Sequence, residues 1–248
     1  MPQKLFFRTT RSAAEQLTEL FDFVWTTSTA LWNLRWQVAG LSSTQQSISD
    51  ELLVGRFVAG SNIRGANLRH ACIDTTWEQQ QSQFAKFLLV DLIALYEGWL
   101  SKMIADLGLS QEEKAFQYPT STYKGKVTGI SAALSTLKAK PSLMTQDAFY
   151  PVLIKNPKNA LSKIEELLIC FRCFKECRNN LIHEGGIASE KVFDAYAAYS
   201  TLTTHSLGVK EIPMCLPVVT GQPISLSLRG VVGFSDIILR LLITLDAE

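Results

Sequence analysis

The feature that most constrains this chain is the recurrence of apolar side chains at helical spacing. Between Asp74 and Gly108, the residues Phe84, Phe87, Leu88, Leu92, Leu95, Trp99 and Met103 fall mostly three or four positions apart. That interval lines one face of an α-helix, whereas a strand needs alternation with period two. Asp74 opens this helix and Gly108 stops it. Leu17, Leu20, Phe21, Val24, Leu31 and Leu34 predict a second long helix from Arg11, with Gly40 as its C-terminal cap. A third is started by Asn156-Pro157, carries Leu161, Ile164, Leu168 and Phe171, and runs to about Ile182. Gly185-Gly186 breaks it.

Shorter helices are expected elsewhere. One follows Ser47-Ile-Ser-Asp-Glu, and one follows Ser110-Gln-Glu-Glu113, which has the pattern of a capping box. Another carries Val127, Ile130, Leu134 and Leu137 and stops before Pro141. Ser189 caps a further helix through Tyr196 and Leu202 to Gly208. After Gly208 the pattern changes. Ile212–Val219 and Ile224–Leu228 are rich in β-branched residues and flank Thr220-Gly-Gln-Pro223, the signature of a hairpin. Pro213 and Pro217 would make the first run an edge strand or an extended segment, and Phe234–Leu245 reads as a last amphipathic helix. The expected architecture is mainly α over 1–208, with a small C-terminal β-hairpin appendage and final helix over 209–248, all one domain across 1–248.

Charge removes one class of function. Lys and Arg number 24 against 23 Asp and Glu, so no global field draws the chain to nucleic acid or to acidic membranes. An RNA contact must come from a local cationic site. Apolar residues make up 47%, enough for a sizeable core. Five cysteines, three of them (Cys170, Cys173, Cys177) within eight residues, do not resemble a secreted disulfide framework. The N-terminus lacks an uninterrupted apolar leader. Phe87–Leu100 contains Asp91 and Glu97 and is too short to span a bilayer. A cytoplasmic protein without membrane contact is the expectation.

The residues that can carry chemistry are Cys-Arg-Asn-Asn-Leu-Ile-His-Glu-Gly-Gly, 177–186. Arginine holds its charge and presents a fork of donors suited to phosphate. Histidine titrates near neutrality and can move a proton. Together they suffice for metal-independent RNA cleavage: a base takes the proton of a ribose 2′-hydroxyl while a cation stabilises the phosphoryl oxygens. On a regular helix, five residues separate Arg178 and His183 by about 140°. Arg178 falls towards Leu161, Ile164 and Phe171; His183 falls with Arg172, Glu176 and Asn179. Either the helix ends before His183, or a second copy of the chain completes the site.

The segment resembles the Arg-x(4–6)-His motif of the HEPN superfamily, including the polar Asn179 after the arginine and the position at the end of a long helix. The resemblance implies a HEPN-like helical bundle and a metal-independent endoribonuclease, a toxin or anti-phage defence effector. It also implies a homodimer whose composite site uses Arg178 and His183 as the catalytic pair, with Asn179 as helper. Asn180 and Glu184 are supporting residues. Glu97, in Leu95-Tyr-Glu-Gly-Trp99, matches the acidic residue that members often carry on an earlier helix. RNA as substrate and an antitoxin or defence partner follow from the same resemblance, and no cofactor is expected. A tyrosine two residues after the histidine, a target of modification in some members, is replaced here by Gly185.

Other readings stand beside this one. Arg64 and His70 satisfy the same spacing, but in a glycine-interrupted segment without a preceding long helix. Arg178 can serve as a partner for helix carboxylates and His183 as a C-terminal cation, which would leave a non-catalytic nucleotide- or protein-binding module. Cys170, Cys173 and Cys177 form a stripe that, with His183, offers four zinc ligands, yet core packing suits buried cysteine better. Trp25, Trp32, Trp36, Trp77 and Trp99 lie on helices and read as core. No glycine-rich phosphate loop, His-Glu-x-x-His or EF-hand pattern is present.

Overall fold

The computed structural model describes residues 7–45, 47–109, 112–120, 122, 128–139 and 160–246. The protein is mainly helical, as the periodicity predicts. The helices are α1 (Arg8–Thr44), α2 (Asp50–Phe57), α3 (Trp77–Asp106), α4 (Gly129–Ala139), α5 (Ile164–His183), α6 (Glu190–Tyr199), α7 (Thr204–Leu207) and α8 (Leu228–Thr244). The chain divides into two compact units, Met1–Leu17 with Ala85–Glu248, and Thr18–Phe84. Among the described residues no helix is long and apolar enough to cross a membrane.

Helix boundaries follow local chemistry. Helix α1 runs through Gly40 to Thr44, so Gly40 is not its cap. The long α3 begins at Trp77 rather than Asp74, because Thr76 and Gln79 satisfy each other's backbone: Gln79 N donates to Thr76 Oγ1 (3.2 Å) and Thr76 N donates to Gln79 Oε1 (2.9 Å). Ser49 caps α2 by accepting from Leu52 N. The helix expected from Ser189 to Gly208 is two, since Thr203 and Ser206 form a fresh capping box and Gly208 closes α7 in the left-handed region. The Ser110 capping box, Val127 and Asn156-Pro157 lie outside the described residues.

The larger unit is organised around α5. Its buried residues include Ile164, Leu167, Leu168, Phe171, Phe174 and all three helix cysteines, so most of its circumference faces protein. Tyr96 of α3 sits 4.6 Å (ring centroids) from Phe171, and Phe234 of α8 stacks on Phe174 at 4.4 Å. Each such aromatic contributes about 1.5–3 kcal/mol through burial. Tyr96 also donates to Phe116 O (2.9 Å), which satisfies its buried hydroxyl and fixes its turn of α3. That anchoring positions the neighbouring Glu97.

The predicted C-terminal hairpin is absent among the described residues. Residues 212–219 and 224–227 form no regular element and do not pair with each other. Pro213 and Pro217 lack donors. The first run instead presses its backbone on α8, so closely that a Cβ on Gly230 would lie 1.8 Å from Met214 O; Tyr199 of α6 donates to Pro213 O. The second run bonds to the turn after α5: Ile224 N to Gly186 O (2.8 Å) and Ala188 N to Gln222 O (2.9 Å). The first run found its partners on helices and the second in the turn after α5, not in one another.

The smaller unit has its own cluster of Val38, Leu53, Leu68 and Cys72. Arg35 stitches it by donating to Ala71 O, Thr75 O and Gln80 Oε1. Here the tryptophan expectation fails. Trp25, Trp32 and Trp36 are exposed, at 52%, 40% and 64%, and Trp77 is half-buried; only Trp99, in the larger unit, is core. Helical spacing told that they share a helix, but not whether anything covers that face.

Candidate functional site

Helix α5 carries the motif, and its two faces do different things. On one face Lys175 and Arg178, three residues apart, project from adjacent turns. Both meet Glu97 of α3: Lys175 Nζ lies 2.6 Å from Oε1, and Arg178 Nη2 lies 3.6 Å from Oε2. Lys175 is buried, donates also to Gln117 Oε1 and stands 5.8 Å over the Tyr118 ring. A buried ammonium is costly without a counter-ion, and Glu97 is that counter-ion. The structure therefore brings the predicted acidic residue to Arg178, though it also engages a cation that the sequence reading missed. The available signal was a lysine among Cys173, Phe174 and Cys177, at a position where the helix has no solvent to offer.

On the other face, Glu176, Asn179, Asn180, His183 and Glu184 join Ser189, Glu190 and Lys191 of α6 around an open depression of about 540 Å³. Tyr118 donates to Glu176 Oε1 (3.2 Å). Its phenol is pushed well up, first by burial and then by the Glu176 charge. Asn179 Nδ2 lies 3.5 Å from Glu176 Oε2, and Asn179 Oδ1 accepts from Arg178 Nη1 at 3.3 Å. Asn179 thus touches the arginine and lines the depression that His183 lines.

Asn180 is buried and has a structural task. Its side chain donates to Glu176 O (3.1 Å) and accepts from Ser189 N (2.9 Å). Its carbonyl accepts from Glu184 N and Gly186 N, while Gly185 and Gly186 adopt φ of 61° and 82°. Those glycines supply the left-handed turn that ends α5. The depression owes its shape to this turn, which swings the chain from α5 directly into α6. Glu184 is the residue after the helix and is exposed.

Helix α5 continues through His183, so the premature ending allowed by the sequence does not occur. The angular separation of the motif pair therefore stands. Arg178, with 19% of its side chain exposed, turns to Glu97, and the exposed His183 opens to the depression. The second copy of the motif is placed differently. Arg64 is exposed in an irregular segment, and His70 Nδ1 lies 3.7 Å from Asp74 in a single π-helical turn.

The cysteines also regroup. Cys170, Cys173 and Cys177 are buried, as core packing predicts. His183 does not join them; Cys215 does, with the Sγ atoms of Cys173, Cys177 and Cys215 all within 4.8 Å of one another. Hydrogen bonds from Cys173 and Cys177 hold the Cys215 thiol down at about 4. The Cys173 thiol is pushed well up by its bonds to Cys177 and Cys215 and by burial.

Comparison of the chain with protein-family models, with curated proteins and with solved structures finds no match.

Proposed function

We propose that this protein is a metal-independent endoribonuclease of HEPN type, acting as a homodimer in a toxin or anti-phage defence role. The observation that carries the reading is the open depression at the end of α5, lined by exposed His183 and half-buried Asn179, with Asn179 accepting from an arginine that Glu97 engages. His183 takes the proton of a ribose 2′-hydroxyl. The resulting oxygen attacks the adjacent phosphorus, forming a 2′,3′-cyclic phosphate, and the 5′-oxygen leaves with a proton returned by an imidazolium. Arg178 stabilises the charge on the phosphoryl oxygens, and Asn179 orients groups between them. Because one straight helix aims the pair apart, Arg178 of one copy would act with His183 of a second. RNA is the substrate, and an antitoxin or other defence partner would restrain the activity.

One observation favours a second reading, a non-catalytic nucleotide- or protein-binding module. Arg178 is mostly buried and already engaged by Glu97 and Asn179, which limits its reach towards phosphate. RNA cleavage in EDTA by wild type, Arg178→Ala and His183→Ala, with folding checked by circular dichroism, separates the two. Cleavage by wild type alone, leaving cyclic phosphate ends, is expected. Equal activity in all three proteins, or RNA binding without cleavage by a well-folded dimer, would refute the nuclease.

A further inference from the structure

We propose that Cys173, Cys177 and Cys215 form a three-thiolate site for a thiophilic closed-shell metal ion, Zn(II) or Cu(I). Cys173 and Cys177 are one helical turn apart on α5 and present both sulfurs on the same side. The third sulfur comes from elsewhere in the chain, the irregular segment before α8. Three contacts fix that segment: Tyr199 donates to Pro213 O and accepts from Cys215 N (3.4 Å), and the neighbouring Met214 carbonyl rests on Gly230. Cys215 is thus held against α5 by the fold rather than by its own thiol.

The separations suit a metal. A Zn–S bond of about 2.3 Å puts tetrahedral ligands about 3.8 Å apart. Here Cys173 Sγ and Cys215 Sγ are 3.6 Å apart, and the three sulfurs lie within 4.8 Å of one another. A disulfide would need one pair to close to about 2.05 Å and would strand the third thiol. Core packing accounts for buried Cys170, but it gives no reason for cysteines from two elements to converge. An all-sulfur donor set selects soft ions over Mg²⁺ or Ca²⁺. Burial is graded, with Cys173 and Cys177 enclosed and Cys215 partly open, so the ion has a way in and Zn(II) could take a fourth ligand from solvent. Binding is proton exchange without redox change: each thiol that becomes a ligand releases its proton to solvent as its metal–sulfur bond forms.

The test is an anaerobic titration of the reduced, metal-free full-length protein, with Zn(II) in one arm and Cu(I) in the other, each against a chromogenic chelator. One equivalent per chain, accompanied by proton release, is expected in at least one arm, and the tighter arm names the ion. Cys215→Ser, at the partly open position and with its melting curve compared to wild type, should weaken binding by more than about tenfold. Cys72→Ser, in the smaller unit, should leave it unchanged. Bound metal should slow alkylation of the partly open Cys215. No uptake by the reduced protein, unchanged affinity in Cys215→Ser, or conversion to a Cys173–Cys215 disulfide without any metal binding would overturn the site.

Discussion

The chain holds an arginine and a histidine at permitted spacing twice, at Arg178 and His183 and at Arg64 and His70. In the first pair, both residues stand on a helix locked by aromatic packing, and a carboxylate from another helix meets the arginine. In the second, Arg64 lies among left-handed positions at Gly60, Asn62 and Gly65, and the His70 ring meets Asp74 of its own turn at 3.7 Å. An exposed polar contact of that kind contributes at most about 1 kcal/mol. The difference teaches that spacing supplies the chemistry, while a buried scaffold supplies the position that chemistry requires.

The largest effect that could break this contrast is on catalysis. Under the proposed nuclease mechanism, His183→Ala slows RNA cleavage by about 10²–10⁴-fold, and Arg178→Ala by about 10²–10³-fold. Arg64→Ala and His70→Ala should stay within about twofold of wild type, as exposed substitutions do. Initial rates on one RNA decide it, and a comparable loss in His70→Ala would reverse the assignment.

Stability sharpens the contrast next. Glu97→Ala removes the counter-ion of buried Lys175 and should cost about 2–4 kcal/mol in denaturant unfolding. Glu97→Ala with Lys175→Met should recover part of that loss, whereas Asp74→Ala beside His70 should change stability by less than about 0.5 kcal/mol. Identical curves for Glu97→Ala and Asp74→Ala would mean that the first copy has no buried ionic frame. Asn180→Ala leaves Ser189 N without its acceptor and should cost about 1–2 kcal/mol, with the turn between α5 and α6 exchanging amide hydrogens faster.

The smallest effect is at alkaline pH. The Tyr118 phenol is pushed up by burial and by Glu176, so its folded value lies above the unfolded value of about 10. Its contribution to stability is therefore complete below about pH 10 and declines as the pH rises past that value. Tyr118→Phe should cost about 1 kcal/mol at neutral pH and flatten the alkaline limb of the unfolding profile. An unchanged limb would separate Tyr118 from the Glu176 side of the site.

Much of the helical frame was legible because its signals are local. Leu88, Leu92, Trp99 and Met103 lie on the buried face of α3 as their spacing predicts, although Phe87 of the same stripe is 71% exposed; Gly208 ends α7 and Gly185-Gly186 end α5. The hairpin was misread because a β-branched run reports a preference for extended backbone, not the identity of its partner. In the candidate site, the motif and the opposed directions of Arg178 and His183 could be read from spacing alone. Lys175 was missed because its burial depends on what surrounds α5.

The sequence by itself determined the helical class, the break after the motif and the separation of its two residues around one helix. Each follows from the fixed geometry of 3.6 residues per turn. Only the tertiary structure decided that Glu97 meets Lys175 and Arg178 across 78 or more positions, that Cys215 rather than His183 joins the helix cysteines, and that Met214 rests on α8 while Ile224 bonds to the turn after α5. Periodicity says which side of a helix is apolar; which distant residue fills that side depends on how the whole chain closes its core.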